Sequence, residues 1–125
     1  MTPERLDDAT LDLQERARRF TGEVLIPLEV EAEMASGKLP DAAVERVKSE
    51  ALAAGLTGGL HAKEHGGQGW TRLQWALVAE QFGRSTNAIH WHVPNAYNVW
   101  AHGSAEQIDR YLRPALRGEI CDAYA

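Results

Sequence analysis

Leu13, Ala17, Phe20, Val24 and Leu28 recur every three or four residues, with Asp12, Glu15, Arg16 and Arg19 between them. That period puts the apolar side chains on one face of an α-helix and the charges on the other, so this stretch must bury one side against a partner element. Pro27 interrupts the stripe. It has no amide hydrogen and disfavours the helical region at Ile26, which predicts a stop or bend before the helix resumes through LEVEAEMA.

The rest of the chain repeats this logic. After Ser36-Gly37, the segment LPDAAVERVKSEALAAG has Pro40 near its start, Val44, Val47, Ala51 and Ala54 at helical spacing, and Gly55 where a left-handed cap ends a helix. Thr71-Arg72-Leu73-Gln74 reads as a capping box opening a third helix that runs to about Gly83, and Ser104-Ala105-Glu106-Gln107 is a second one. Ile108, Tyr111, Leu112, Ala115 and Leu116 continue the latter helix to Gly118. Between them, Thr86 to His102 is apolar and aromatic with Pro94 inside it, which predicts either a buried kinked helix or two short pieces. No alternating pattern is long enough for a sheet. The expected fold is all-α, a five- to six-helix up-and-down or orthogonal bundle, with residues 1–118 as the helical domain and 119–125 as an extended, partly buried segment. A strand there has no partner within the helical part, which implies a fragment of a longer protein or pairing with another chain.

Length and charge narrow the function. A chain of 125 residues with 44% hydrophobic content supports one core. A net charge of -5 and a pI of about 5.5, without clustered Lys and Arg, exclude a phosphate-backbone partner. A single cysteine, Cys121, excludes an internal disulfide and is expected as a small buried residue in a reducing compartment. The sequence shows no membrane-length apolar run and no signal-peptide pattern, so a soluble, cytoplasmic protein is expected.

HAKEHGGQGW, His61 to Trp70, contains H-x-x-E-H, a spacing that on a helix brings two imidazoles to one zinc ion. Gly58, Gly59, Gly66, Gly67 and Gly69 flank it, leaving about one turn in which a helix could form. A loop with solvated His61 and His65 is the expectation, and no metal site is assigned. His90 and His92 would point about 200° apart on a helix and cannot share a metal. Tyr97 and Trp100 are expected in the core.

Taken in order, RRFTGEVLIPLEVE, SEALAAGLTGG, KEHGGQG, VAEQFGR and HGSAEQIDRYLRPALRGEICDAYA resemble the N-terminal helical domain of the acyl-CoA dehydrogenase family. These flavoenzymes oxidise acyl-CoA thioesters to enoyl-CoA. The resemblance runs nearly end to end, with one departure: Ala62-Lys63 stand where the family usually has a proline ahead of the glutamate. It implies that the glycines serve the backbone, with positive φ and close packing of neighbouring helices, and that Glu64 is structural.

The resemblance further implies FAD as cofactor, an acyl-CoA substrate, an electron-accepting flavoprotein as partner, and a homo-oligomer. The base and most flavin contacts lie in the family's later domains, so no residue here is assigned a catalytic role and the chain alone is not expected to turn over. What it contributes is one acyl-pocket wall, which by position includes Asn87, His90, Trp91 and Pro94. The bulk of His90 and Trp91 favours a short, branched or unusual acyl group. Tyr124 falls where the family has an aromatic residue beside the flavin ring, so the resemblance implies that 119–125 are the truncated start of the following flavin-contacting β segment. Two other outcomes are a stand-alone helical interaction module and the flavin monooxygenase or nitroalkane oxidase branch of the same superfold.

Overall fold

A computed structural model describes residues 5–123. It contains six α-helical segments: α1 (Asp8–Phe20), α2 (Glu29–Met34), α3 (Asp41–Ala53), α4 (Arg72–Phe82), α5 (Ala105–Gln107) and α6 (Arg113–Leu116). They form four rods, because a π-helical turn, Thr21–Leu25, and a 3-10 turn, Ile26–Leu28, join α1 to α2, and a second π-helical turn, Ile108–Leu112, joins α5 to α6. No strand occurs among the described residues. The all-α expectation holds, with four rods where five or six helices were expected. The difference lies between Thr86 and His102, which forms two 3-10 turns, Ile89–His92 and Asn98–His102, around an extended stretch.

The first rod does not break at Pro27. In a regular α-helix the proline ring meets the carbonyl four residues back, and its missing N–H leaves that carbonyl unpaired. Here Ile26 donates its N–H to the Thr21 carbonyl five residues back, and this wider turn lets the chain pass through Pro27 without reversing. Pro114 is treated identically. Arg113 reaches back to the Ile108 carbonyl, again five residues away and immediately ahead of the proline.

Caps fix the other ends. The Asp7 carboxylate accepts the Thr10 N–H at 2.7 Å, and hydrogen bonding from the Thr10 hydroxyl and then from its N–H holds Asp7 below the usual carboxylate range. Thr71 and Gln74 form the reciprocal box at the start of α4, and Ser104 and Gln107 form the one at α5. α3 ends as expected. Gly55, at φ +66°, lets Leu56 N–H return to the Ala51 carbonyl, and the Arg16 guanidinium donates to the Ala54 carbonyl at 2.9 Å.

α1 packs most extensively on α4. Leu13, Ala17, Phe20, Val24 and Leu28 are all buried, and Phe20 meets Phe82 edge-on at 5.9 Å. A smaller cluster of Ala96, Leu112, Ala115 and Leu116 lies beneath the last rod, with Trp100 half-buried against it. Beyond Gly118, at φ +75°, the chain is irregular. Ile120 and Cys121 are exposed there, which corrects the expectation of a partly buried extended segment and of a buried cysteine. The left-handed Gly118 turns the tail off α6, and the tail is tethered by Asp122, whose Oδ2 accepts from Tyr97 N–H at 2.8 Å and Trp100 Nε1–H at 3.1 Å.

Thr21, inside the first π turn, is fully buried, yet its hydroxyl has no hydrogen-bond partner among the described residues. Thr21→Val keeps the shape and removes the buried unpaired oxygen, so it is expected to stabilise the fold by about 1 kcal/mol. Urea denaturation followed by circular dichroism measures this; a lower midpoint would mean that the hydroxyl is satisfied in solution.

Candidate functional site

The loop from Gly58 to Trp70 closes on itself. Gly58 carbonyl accepts from His61 and Gln68 N–H, Gly69 N–H bonds the His61 carbonyl at 2.9 Å, and Trp70 N–H bonds the Gly59 carbonyl at 2.9 Å. Gly66 and Gly69 take φ of +95° and +65°, which side chains avoid. Gly67 answers a different need: a Cβ there would lie 2.2 Å from the His61 carbonyl oxygen. The glycines thus serve turns and close approach, and H-x-x-E-H does not lie on one helix. His61 precedes a single 3-10 turn, Lys63–His65.

His61 is buried at 5% exposure, contrary to the expectation of a solvated loop residue. The loop folds it inward, and its Nε2 lies 2.7 Å from the Ala96 carbonyl. A carbonyl only accepts, so Nε2 carries the proton. Gly58 N–H bonds the Pro94 carbonyl at 3.1 Å, giving a second link between loop and wall. Glu64 contributes through its backbone, its carbonyl accepting from Arg113 Nη1 at 2.6 Å.

The wall so held borders a cleft of about 720 Å³. Val44, Leu56, Trp75 and Phe82 supply apolar floor, and residues 90–97 and Glu119 to Asp122 complete the lining. Of the four residues expected around an acyl group, His90, Trp91 and Pro94 line this cleft. Asn87 does not. It takes φ +55°, donates to Thr86 Oγ1 at 3.2 Å and lines a separate depression of about 250 Å³ beside Glu29, Val30 and Met34. The left-handed Asn87 and Ala88 redirect the chain there, so the residues before and after them serve different surfaces.

Trp91 is 78% exposed and stands at the rim, its ring edge-on to His90 at 6.2 Å. Tyr97 is 47% exposed and lines the cleft, which corrects its assignment to the core. The wall is extended, so Ala96 turns inward while Tyr97 turns outward. Lys48, Trp75, His92 and Cys121 also line the cleft. Sequence reasoning missed Lys48 although it lies four residues beyond Val44, on the same helical face; its Nζ pairs with Glu45 at 2.9 Å. Tyr124 lies outside the described residues.

Both cleft histidines are held below the ordinary imidazole range, His90 by burial, and His92 by burial and then by the Lys48 ammonium. Unfolded, each binds a proton near pH 6.5; folded, each does so only at lower pH. The unfolded chain therefore holds more protons just below pH 6.5, and stability falls there as pH falls. Their contribution is complete above about pH 6.5 and is withdrawn progressively below it. Urea midpoints at pH 7.5 and 5.5 should differ in that direction, and the His90→Asn, His92→Asn double variant should flatten the difference.

The family described as acyl-CoA dehydrogenase, N-terminal domain, matches residues 7–119. (R)-benzylsuccinyl-CoA dehydrogenase of Thauera aromatica is 34% identical over 126 residues, covering 89% of this chain and 31% of that protein. The chain therefore spans less than a third of that relative's length. No solved structure matches it. Among the described residues Lys48 is the basic amine that lines the cleft, and its Nζ is paired with Glu45 at 2.9 Å. With its helical rods, its glycine loop and the match across residues 7–119, the chain belongs to the acyl-CoA dehydrogenase N-terminal domain family.

Proposed function

We propose that this chain is the N-terminal helical domain of an FAD-dependent acyl-CoA dehydrogenase that oxidises an acyl-CoA thioester to the enoyl-CoA, and that it forms one wall of the acyl pocket. The observation that carries the reading is the 720 Å³ cleft, which joins an apolar floor to the His90–Tyr97 wall. Concave sites of this size, mostly apolar with few polar groups, are where small molecules bind. The catalytic base and most of the flavin seat belong to other parts of the parent protein, so this chain alone does not turn over. Tyr124 supplies a partial flavin contact. A homo-oligomer, an electron-accepting flavoprotein and a cytoplasmic location complete the proposal; no helix among the described residues is long and apolar enough to cross a membrane.

The acyl group is short, branched or aryl-bearing. Trp91 and His90 crowd the wall, and the relative from Thauera aromatica is named for a benzylsuccinyl thioester, a short acyl chain carrying an aromatic ring. Asn87, expected by position on the same wall, lines a separate depression beside Glu29 and Met34 and is left out of the acyl contacts proposed here.

The test is to express the complete open reading frame, recover the yellow protein and add thioesters without oxygen. Bleaching by 3-phenylpropionyl-CoA or isobutyryl-CoA, and little by palmitoyl-CoA, is expected. Failure of every thioester would remove the dehydrogenase reading and leave the nitroalkane oxidase branch or an interaction module. Trp91→Ala should shift the kcat/KM ratio about tenfold toward longer acyl chains, the scale on which pocket contacts discriminate.

A further inference from the structure

We propose that His61 is the positioning residue for the cleft wall, its imidazole latching residues 94–97 to the glycine loop through the Ala96 carbonyl. The purpose assigned to that wall rests on the acyl-binding reading; the latch itself stands on geometry.

The wall is held from outside. Pro94 offers no N–H, its carbonyl is taken by Gly58 N–H at 3.1 Å, and Tyr97 N–H is taken by the Asp122 carboxylate at 2.8 Å, from the tail. Of these three bonds, the middle one, from His61 to Ala96 at 2.7 Å, comes from a buried side chain. The imidazole has little freedom to drift. His61 N–H bonds the Gly58 carbonyl at 3.0 Å, its carbonyl accepts Gly69 N–H at 2.9 Å, and Gly67 is packed against it so closely that no side chain fits. The loop therefore sets the imidazole, and the imidazole sets Ala96. Displacing Ala96 changes the gap between the wall and the Leu56–Phe82 floor, and with it the fit of whatever the cleft holds. A buried acceptor left without its donor is unfavourable, so a leucine in place of His61 would drive the Ala96 carbonyl toward water and loosen the wall.

The experiment uses the protein expressed from the complete open reading frame, with amide hydrogen exchange across residues 95–98 and binding of 3-phenylpropionyl-CoA followed by tryptophan fluorescence. His61→Leu should speed exchange there about tenfold relative to α1 amides, the signature of local opening, and weaken binding about fivefold or more. His61→Gln, whose amide can donate as Nε2 does, should recover most of both effects, and His61→Asn, too short to reach, should not. Leu25→Ala, a fully buried residue away from the cleft, should lower global stability while leaving both ratios unchanged. Should His61→Leu fail to fold, the Gln and Asn pair decides alone. Unaltered wall exchange in the Leu or Asn variants, or an equal effect from Leu25→Ala, overturns the latch. If His61→Leu loosens the wall while the complete wild-type protein binds no thioester, the latch is upheld and the acyl reading is overturned instead.

Discussion

A contact with no room for a side chain, the Gly67 backbone against the His61 carbonyl, sets the shape of the candidate site. Because those backbones touch, the loop closes as a compact knot with its own hydrogen bonds, and His61 is turned inward instead of toward water. From there the imidazole and the Gly58 amide reach the same extended stretch, Pro94 to Ala96, which has no helix or sheet of its own to hold it. An extended wall of this kind is fixed only as well as the groups that lend it hydrogen bonds. The glycine loop is thus a scaffold for the cleft, although only Gly58 of its residues lines the cleft.

The two prolines show a second economy. Each follows a π-helical turn at the same offset, so Pro27 and Pro114 are absorbed within continuous rods where a break would otherwise fall. This keeps the stripe from Leu13 to Leu28 on one side of the first rod, where it meets α4. It also sends α6 under the wall, where Ala115 and Leu116 pack with Ala96. π turns leave one residue out of helical register and concentrate where backbone demands compete. Thr21 lies within the first of them and is one of the few buried polar groups without a partner.

Much of this architecture was legible in the residues. The stripe of α1, the two capping boxes and the Gly55 cap follow from local rules, and local rules are what a sequence displays, while the backbone purpose of Gly66 and Gly69 is what the family resemblance implies. The errors share a different cause. The sequence alone points to a solvated His61, a buried Cys121 and a core Tyr97, and in each the outcome depends on a contact or turn set by distant residues: Ala96 for His61, Gly118 and Asp122 for the tail, the extended wall for Tyr97. Periodicity also fails between Asn87 and His102, because left-handed residues and short 3-10 turns carry no repeating face. Asn87 was grouped with His90 and Trp91 by proximity in sequence, and the left-handed pair Asn87-Ala88 separates them in space.

The distribution of titratable groups around the cleft argues for a shaping role over a reacting one. A general base has to be unencumbered, within reach of its proton, and tuned toward the working pH. Asp122 has Oδ2 occupied by two N–H donors, and Glu119 is paired with Arg117 at 2.7 Å, a bond that lowers its proton affinity. His90 and His92 are neutral near pH 7 because burial disfavours their charged forms, and Lys48 adds to this at His92. What remains facing the space is apolar floor, aromatic rim, imidazole and the Lys48 ammonium, itself paired with Glu45, a mostly apolar lining that suits a hydrocarbon or aryl group. The proposed function accordingly gives this surface the selection of what enters and assigns the bond-breaking to groups elsewhere in the parent protein.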